Sequence, residues 1–378
     1  MRVRTTLVGA TTLLLTAALA GPAVAAGSAR AADGHSATRR AIEAAVRAGV
    51  PGVTATAQDA QGTWSATAGV GDLRTGASRS TDDRYRVGSI TKTFVATVLL
   101  QLEAEGRLSL DDTVDTWLPG VVRGHGHDGR GITVRQLLNH TSGIYNYTAD
   151  DDFGRAYFTE DGFFAHRYDT VAPLDLVAIA MKHKPDFAPG TSWNYSNTNY
   201  VLAGMVIEKV TGHPYAAEVI RRIIDPLHLT ATFLPGTRVT VPRPSSRAYS
   251  KLALTSTGPT YDVTYLNPSI ASAAGEMISD SADLDRFYSA LLRGKLLPPR
   301  QLKEMKTTVR ATIPNTGYGL GLMDTTLTCG VHVWGHNGGI HGSSSSAVTT
   351  ADGSHALAAN FNGDWAGDMN AVIEKEFC

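Results

Sequence analysis

Cysteine is nearly absent: Cys329 and Cys378 are the only two among 378 residues. Two thiols without a clustered histidine pair cannot complete a tetrahedral zinc site, so no metal is expected, and a densely cross-linked miniature scaffold is excluded. In an exported chain such a pair is expected to form one disulfide, worth roughly 4 kcal/mol on the chain-entropy model for so long a loop. An excess of either charge is missing too. The 34 basic and 35 acidic residues leave a net charge of −1, and only 18% of the chain is charged. No basic face is offered to nucleic acid, and no acidic tail points to disorder. The expected partner is a small molecule, and the expected state a monomer.

Apolar runs that could cross a bilayer are lacking beyond the first residues. Arg2 and Arg4, the apolar stretch Leu7 to Leu19 and the small residues Ala23 to Ala25 read as an export signal. Residues 1–32 are therefore assigned to the signal and a flexible start. Gly9, Gly21 and Pro22 interrupt the run, which argues against an uncleaved anchor. The chain is expected to be secreted and free of the membrane after cleavage. There is no internal repeat or heptad array.

What is present is a hydrophobic content of 43%, enough for a large core. A helix is expected from Ser36, as its cap, through Val50, then a hairpin of "GVTATAQ" and "WSATAGV" around Gly62. Ile90, Phe94, Val98 and Leu102, widened by Val95, Leu99 and Leu100, predict a central helix from Ser89 to Gly106. Helical patterns follow at Val134 to His140, Leu174 to His183, Thr198 to Val210, Pro214 to Ile224 and Ser281 to Arg293. The strands "GYGLGLM", "GVHVWG", "SSSSAVTT" and "HALAANF" come next, then a helix from Ala366 to Phe377. The fold class is thus α/β in the α+β sense: an antiparallel sheet built from both chain ends and flanked by helices. Residues 33–117 and 267–378 form the sheet lobe, with a mostly helical lobe, 118–266, inserted.

Three elements carry chemistry. In "RVGSITKTF", Ser89 and Lys92 lie three apart at a helix start, within reach of each other. Burial and the positive helix terminus both favour an uncharged amine, which could take the proton of Ser89 and make its oxygen a nucleophile. Unaided, Ser89 is equally readable as a helix cap. In "YSN", Tyr195 could relay protons and Asn197 could grip a substrate amide. A second copy, Tyr265-Leu266-Asn267, sits before Pro268 without a helical pattern, so Tyr195 is favoured. In "GHNGGIHG", glycines would let a ligand lie against a strand edge beside His336, although the same residues also suit a hairpin turn.

In this order the three elements resemble the penicillin-recognising serine hydrolases, S-x-x-K, Tyr-x-Asn and Lys/His-x-Gly. The resemblance extends to "ITVRQLLNHTSG", "YSNTNYVLAGMVIEKVTGH", "GYGLGL" and the cysteine spacing. It is to the family S12 peptidases, the soluble actinomycete D-alanyl-D-alanine carboxypeptidases and the class C β-lactamases. It implies a β-lactamase/transpeptidase-like fold and a catalytic set of Ser89, Lys92 and Tyr195. It also implies substrate-binding residues Asn197, His336, Asn337, Gly338 and Gly339, an oxyanion hole from the Ser89 and Gly339 backbone amides, and no cofactor. The expected activity is that of a serine-type carboxypeptidase on D-amino acid peptides, with β-lactams as further ligands. The alternatives are a D-amino acid amidase, aminopeptidase or esterase and, from another class, a non-catalytic binder of cell-wall peptides. One departure bears on that choice. Where the carboxypeptidases hold a free carboxylate with an arginine after "GLGL" and with hydroxyl residues, this chain has Met323, Asn337 and Gly339, leaving only His336 or His341 as weak substitutes.

Overall fold

The structure is a computed structural model and describes residues 34–253 and 257–378; the expected export signal lies outside the described residues. Its frame is one antiparallel sheet of nine strands. In chain order these are β1 (Gly52–Asp59), β2 (Gly62–Asp72), β3 (Ala77–Ser78), β4 (Val309–Arg310), β5 (Thr316–Tyr318), β6 (Met323–Thr326), β7 (His332–Ile340), β8 (Ser343–Thr350) and β9 (Ala356–Phe361). The spatial order is β4-β5-β6-β7-β8-β9-β1-β2-β3. The last strand therefore pairs with the first: Ala359 stands opposite Ala55 on one side and Ser346 on the other.

Alternation along β1 separates two cores. Val53, Ala55 and Ala57 face α1 (Ser36–Arg47) and the C-terminal helix, packing with Ile42, Ala45, Val372 and Ile373. The larger core fills the other side around α2 (Thr91–Ala104), a helix buried on nearly every face, as its all-round apolar sequence requires. Beside it run α3 (Asn197–Thr211) and α4 (Ser281–Leu292), the latter lying across β1, β8 and β9. The C-terminal helix, α5 (Met369–Phe377), packs on α1. A disulfide joins Cys329 and Cys378.

The expected elements are present with shifted limits. The first helix stops at Arg47, and Ser36 is its first residue with no side-chain cap before it. The segment "GYGLGLM" is two short strands, because Gly319 donates its N–H to Leu322 O and folds the chain back. Conversely, β7 runs on through His336 to Gly339, so the third motif is strand and the turn falls at His341-Gly342. Helices Asp151–Phe158 and Glu160–His166 escape the sequence reading; each is short, and Asp150 and Thr159 cap them.

Candidate active site

The chain enters α2 through a single 3₁₀ turn, Gly88–Ile90, closed by Thr91 Oγ1 donating to Gly88 O. Gly88 has φ +54°, and a Cβ there would stand 2.8 Å from Gly339 N. On the facing strand a Cβ at Gly338 would stand 1.9 Å from Val87 O and 2.9 Å from Ser89 N. Glycine on both surfaces thus lets the β7 backbone lie directly against the turn that carries Ser89.

Three residues on, Lys92 is completely buried. Its Nζ lies 2.9 Å from Ser89 Oγ, 2.8 Å from Asn197 Oδ1 and 2.6 Å from Ala274 O. No carboxylate pairs with it, and desolvation pushes its pKa well below the ordinary lysine value. Asn197 Oδ1 and Ala274 O can only accept, so each takes a hydrogen from Nζ; once the amine is deprotonated, its lone pair is left for the Ser89 hydroxyl. Asn197 is orientated by its own bonds: Nδ2 donates to Thr148 Oγ1 at 3.2 Å, and the backbone N–H donates to Asn146 Oδ1.

Tyr195 leans over the pair, its ring centroid 4.9 Å from Lys92 Nζ. Its hydroxyl is enclosed without a partner at good hydrogen-bond geometry. Burial raises the phenol pKa, and Ser89 is the neighbour close enough to ease ionisation. Tyr265 is 40% exposed, with its ring beneath Arg247, and takes no part in this cluster.

His336 is buried directly behind the site, and sequence reasoning missed its partners. His140 Nδ1 accepts from the Ser196 N–H and from Asn199 Nδ2, so its Nε2–H donates to Tyr318 Oη at 3.2 Å. Tyr318 donates in turn to His336 Nε2 at 2.9 Å, and His336 Nδ1–H donates to Asn337 O. Every hydrogen in this chain is placed, and both imidazoles are neutral: desolvation above all holds His336 at about 3 and pushes His140 well below the ordinary histidine value. His336 therefore offers no cation to a ligand. No local spacing marks His140 or Tyr318, which are 178 residues apart.

A cavity of about 590 Å³ opens at Ser89 and is walled by Asn197, Gly339, Tyr147, Phe158 and Trp365. His336 and Asn337 do not line it. Met323, the residue after "GLGL", is buried against Trp193 and Tyr318. Among the described residues no arginine or lysine lines the cavity.

Comparison with known proteins agrees with this geometry. The family described as Beta-lactamase matches residues 38–371. A D-stereospecific amidohydrolase from Streptomyces sp. is 65% identical with a TM-score of 0.87, covering 91% of this chain and 98% of that one. The D-amino acid amidase from Ochrobactrum anthropi SV3, solved with D-phenylalanine, is 28% identical with a TM-score of 0.78, over 91% of this chain and 98% of its own. Penicillin-binding protein 4* of Bacillus subtilis strain 168 is 28% identical over 293 residues, 72% of this chain, and the chain spans 59% of that protein's length. Matching motifs, the sheet built from both ends and the family match over nearly the whole length place the chain in the β-lactamase family, among the penicillin-recognising serine hydrolases.

Proposed function

We propose that this serine hydrolase is a D-stereospecific amidohydrolase, cleaving amides or esters of D-amino acids through an acyl-enzyme on Ser89. The observation that carries the chemistry is the buried Lys92 amine, its pKa pushed well down by desolvation, with Nζ 2.9 Å from Ser89 Oγ. In this reading Ser89 Oγ attacks the substrate carbonyl while its proton passes to Lys92. The Ser89 and Gly339 amides hold the oxyanion. Tyr195, kept protonated by burial, gives its hydrogen to the leaving nitrogen and is resupplied from Lys92. Water then cleaves the ester by the same steps in reverse. Asn197 serves the substrate amide and fixes Lys92.

The amidohydrolase reading is preferred to the carboxypeptidase first expected. A free C-terminal carboxylate needs a charge-assisted partner, and among the described residues the cavity wall has no arginine or lysine: Met323 is buried, His336 is neutral and turned to Tyr318, and burial holds His341 below the ordinary histidine value. The likeness to the amidohydrolase and the amidase points the same way. The test is turnover of D-phenylalanine amide, its L isomer and an acylated D-Ala-D-Ala peptide. Cleavage of the D amide well above the other two is expected; preference for the peptide would return the chain to the carboxypeptidases. Ser89→Ala should retain the fold by circular dichroism and form no acyl adduct by intact mass.

A further inference from the structure

We propose that Asp364 anchors a protonated primary amine on the acyl half of the substrate, at the end of the cavity beyond Ile340. This rests on the amidohydrolase reading of the cavity and adds a residue that reads its substrate. From Gly339, beside Ser89, β7 runs to Ile340 and turns at His341-Gly342 into β8. Gly342 has φ +69°, and a Cβ there would stand 2.6 Å from Tyr249 N, so the turn is wedged in place. Its N–H donates to Asp364 Oδ2 at 2.8 Å and fixes the carboxylate in the cavity wall.

Among the described residues Asp364 is the single charged side chain lining this cavity, whose walls include Tyr147, Phe153, Phe158, Ile340 and Trp365. Among the described residues it has no ion pair. Of the nearby cations, Lys251 sits over the Trp365 ring and donates to Gly258 O and Thr260 Oγ1, and Arg86 directs Nη2 to Val239 O and Leu266 O, its buried Nη1 making no hydrogen bond among the described residues. A second group points to the same ligand. His341 also lines the cavity, is only 8% exposed, and gives its Nε2 hydrogen to Tyr157 O at 2.7 Å. That leaves Nδ1 a buried acceptor with no partner. An anionic oxygen, on a residue exposed to the cavity, and a bare nitrogen acceptor in a mixed polar and apolar wall complement an N–H-bearing cation and repel a carboxylate.

The amine could be the α-ammonium of a D-amino acid amide or the terminus of a residue one step further out, and the substrates distinguish them. Wild type and Asp364→Asn are compared on D-phenylalanine p-nitroanilide, its N-acetyl derivative and glycyl-D-phenylalanine p-nitroanilide. Asparagine keeps the acceptor for the Gly342 N–H. The substrate whose ammonium reaches Asp364 should lose about fivefold in kcat/KM, through KM, as for an ion pair open to water on one side; the acetylated substrate should not change. Equal losses on all three, or none, would overturn the proposal. If wild type cleaves none of them, the amidohydrolase reading fails, and the subsite is read separately by inhibition of p-nitrophenyl acetate hydrolysis with 2-phenylethylamine. Weaker inhibition of Asp364→Asn supports the anchor, and equal inhibition of both proteins refutes it.

Discussion

In the proposed mechanism Lys92 sets the pH behaviour of the site. Its depressed pKa means that kcat/KM should rise with pH as the amine loses its proton and level off well below the ordinary lysine range. Lys92→Arg keeps a permanent charge and should lower kcat/KM about a thousandfold, with the acid limb gone from the residual rate. His336 acts on stability with the same sign. Its folded pKa, about 3, lies below the unfolded value, so the native state gains from a neutral ring above about pH 6.5 and loses that gain as pH falls towards 3. His336→Gln should show a smaller fall of Tm between pH 6.5 and pH 4 than the parent; an identical slope would assign the acid sensitivity to other groups. The Ser89-Lys92 and Tyr195-Asn197 pairs are legible in sequence because each is a local spacing. The His140-Tyr318-His336 chain is not, since its bonds join residues that only the fold brings together.

Elements show the same division. Helix α2 and strand β8 follow from periodicity and composition almost to the residue. "GHNGGIHG" could equally be turn or strand, and pairing with β8 decides for strand. "GYGLGLM" errs the other way, where a glycine turn splits an apparent strand. The glycines of the third motif serve contact and not flexibility: Gly338 abuts Val87 O. Gly338→Ala should push β7 from the Ser89 turn and slow acylation roughly hundredfold, the penalty for displacing an oxyanion donor by about 1 Å. Stopped-flow acylation with an activated ester checks this, and an unchanged rate would show that the turn yields at no catalytic expense.

At the scale of the molecule, the disulfide ties the segment after β6 to the residue after α5 across a sequence separation of 49. Paired Cys329→Ser and Cys378→Ser should lower unfolding free energy by up to about 4 kcal/mol in urea titrations. Acylation at 25 °C should be unchanged, because α5 packs on the sheet face opposite α2. The broad architecture is readable from the order of strand, helix and strand patterns. That the first hairpin adjoins β9 and not β4 is a choice between sheet edges, made by packing and absent from local sequence.

That closure has a temporal consequence. The first hairpin finds its neighbour only when residues 356–361 exist, and Gly339, which completes the site at Ser89, belongs to the same late segment. The ribosome must pass these residues before the nucleophile meets its partners. Until then the growing polypeptide carries a serine whose facing strand has not been made, and on the proposed mechanism activity waits for that strand.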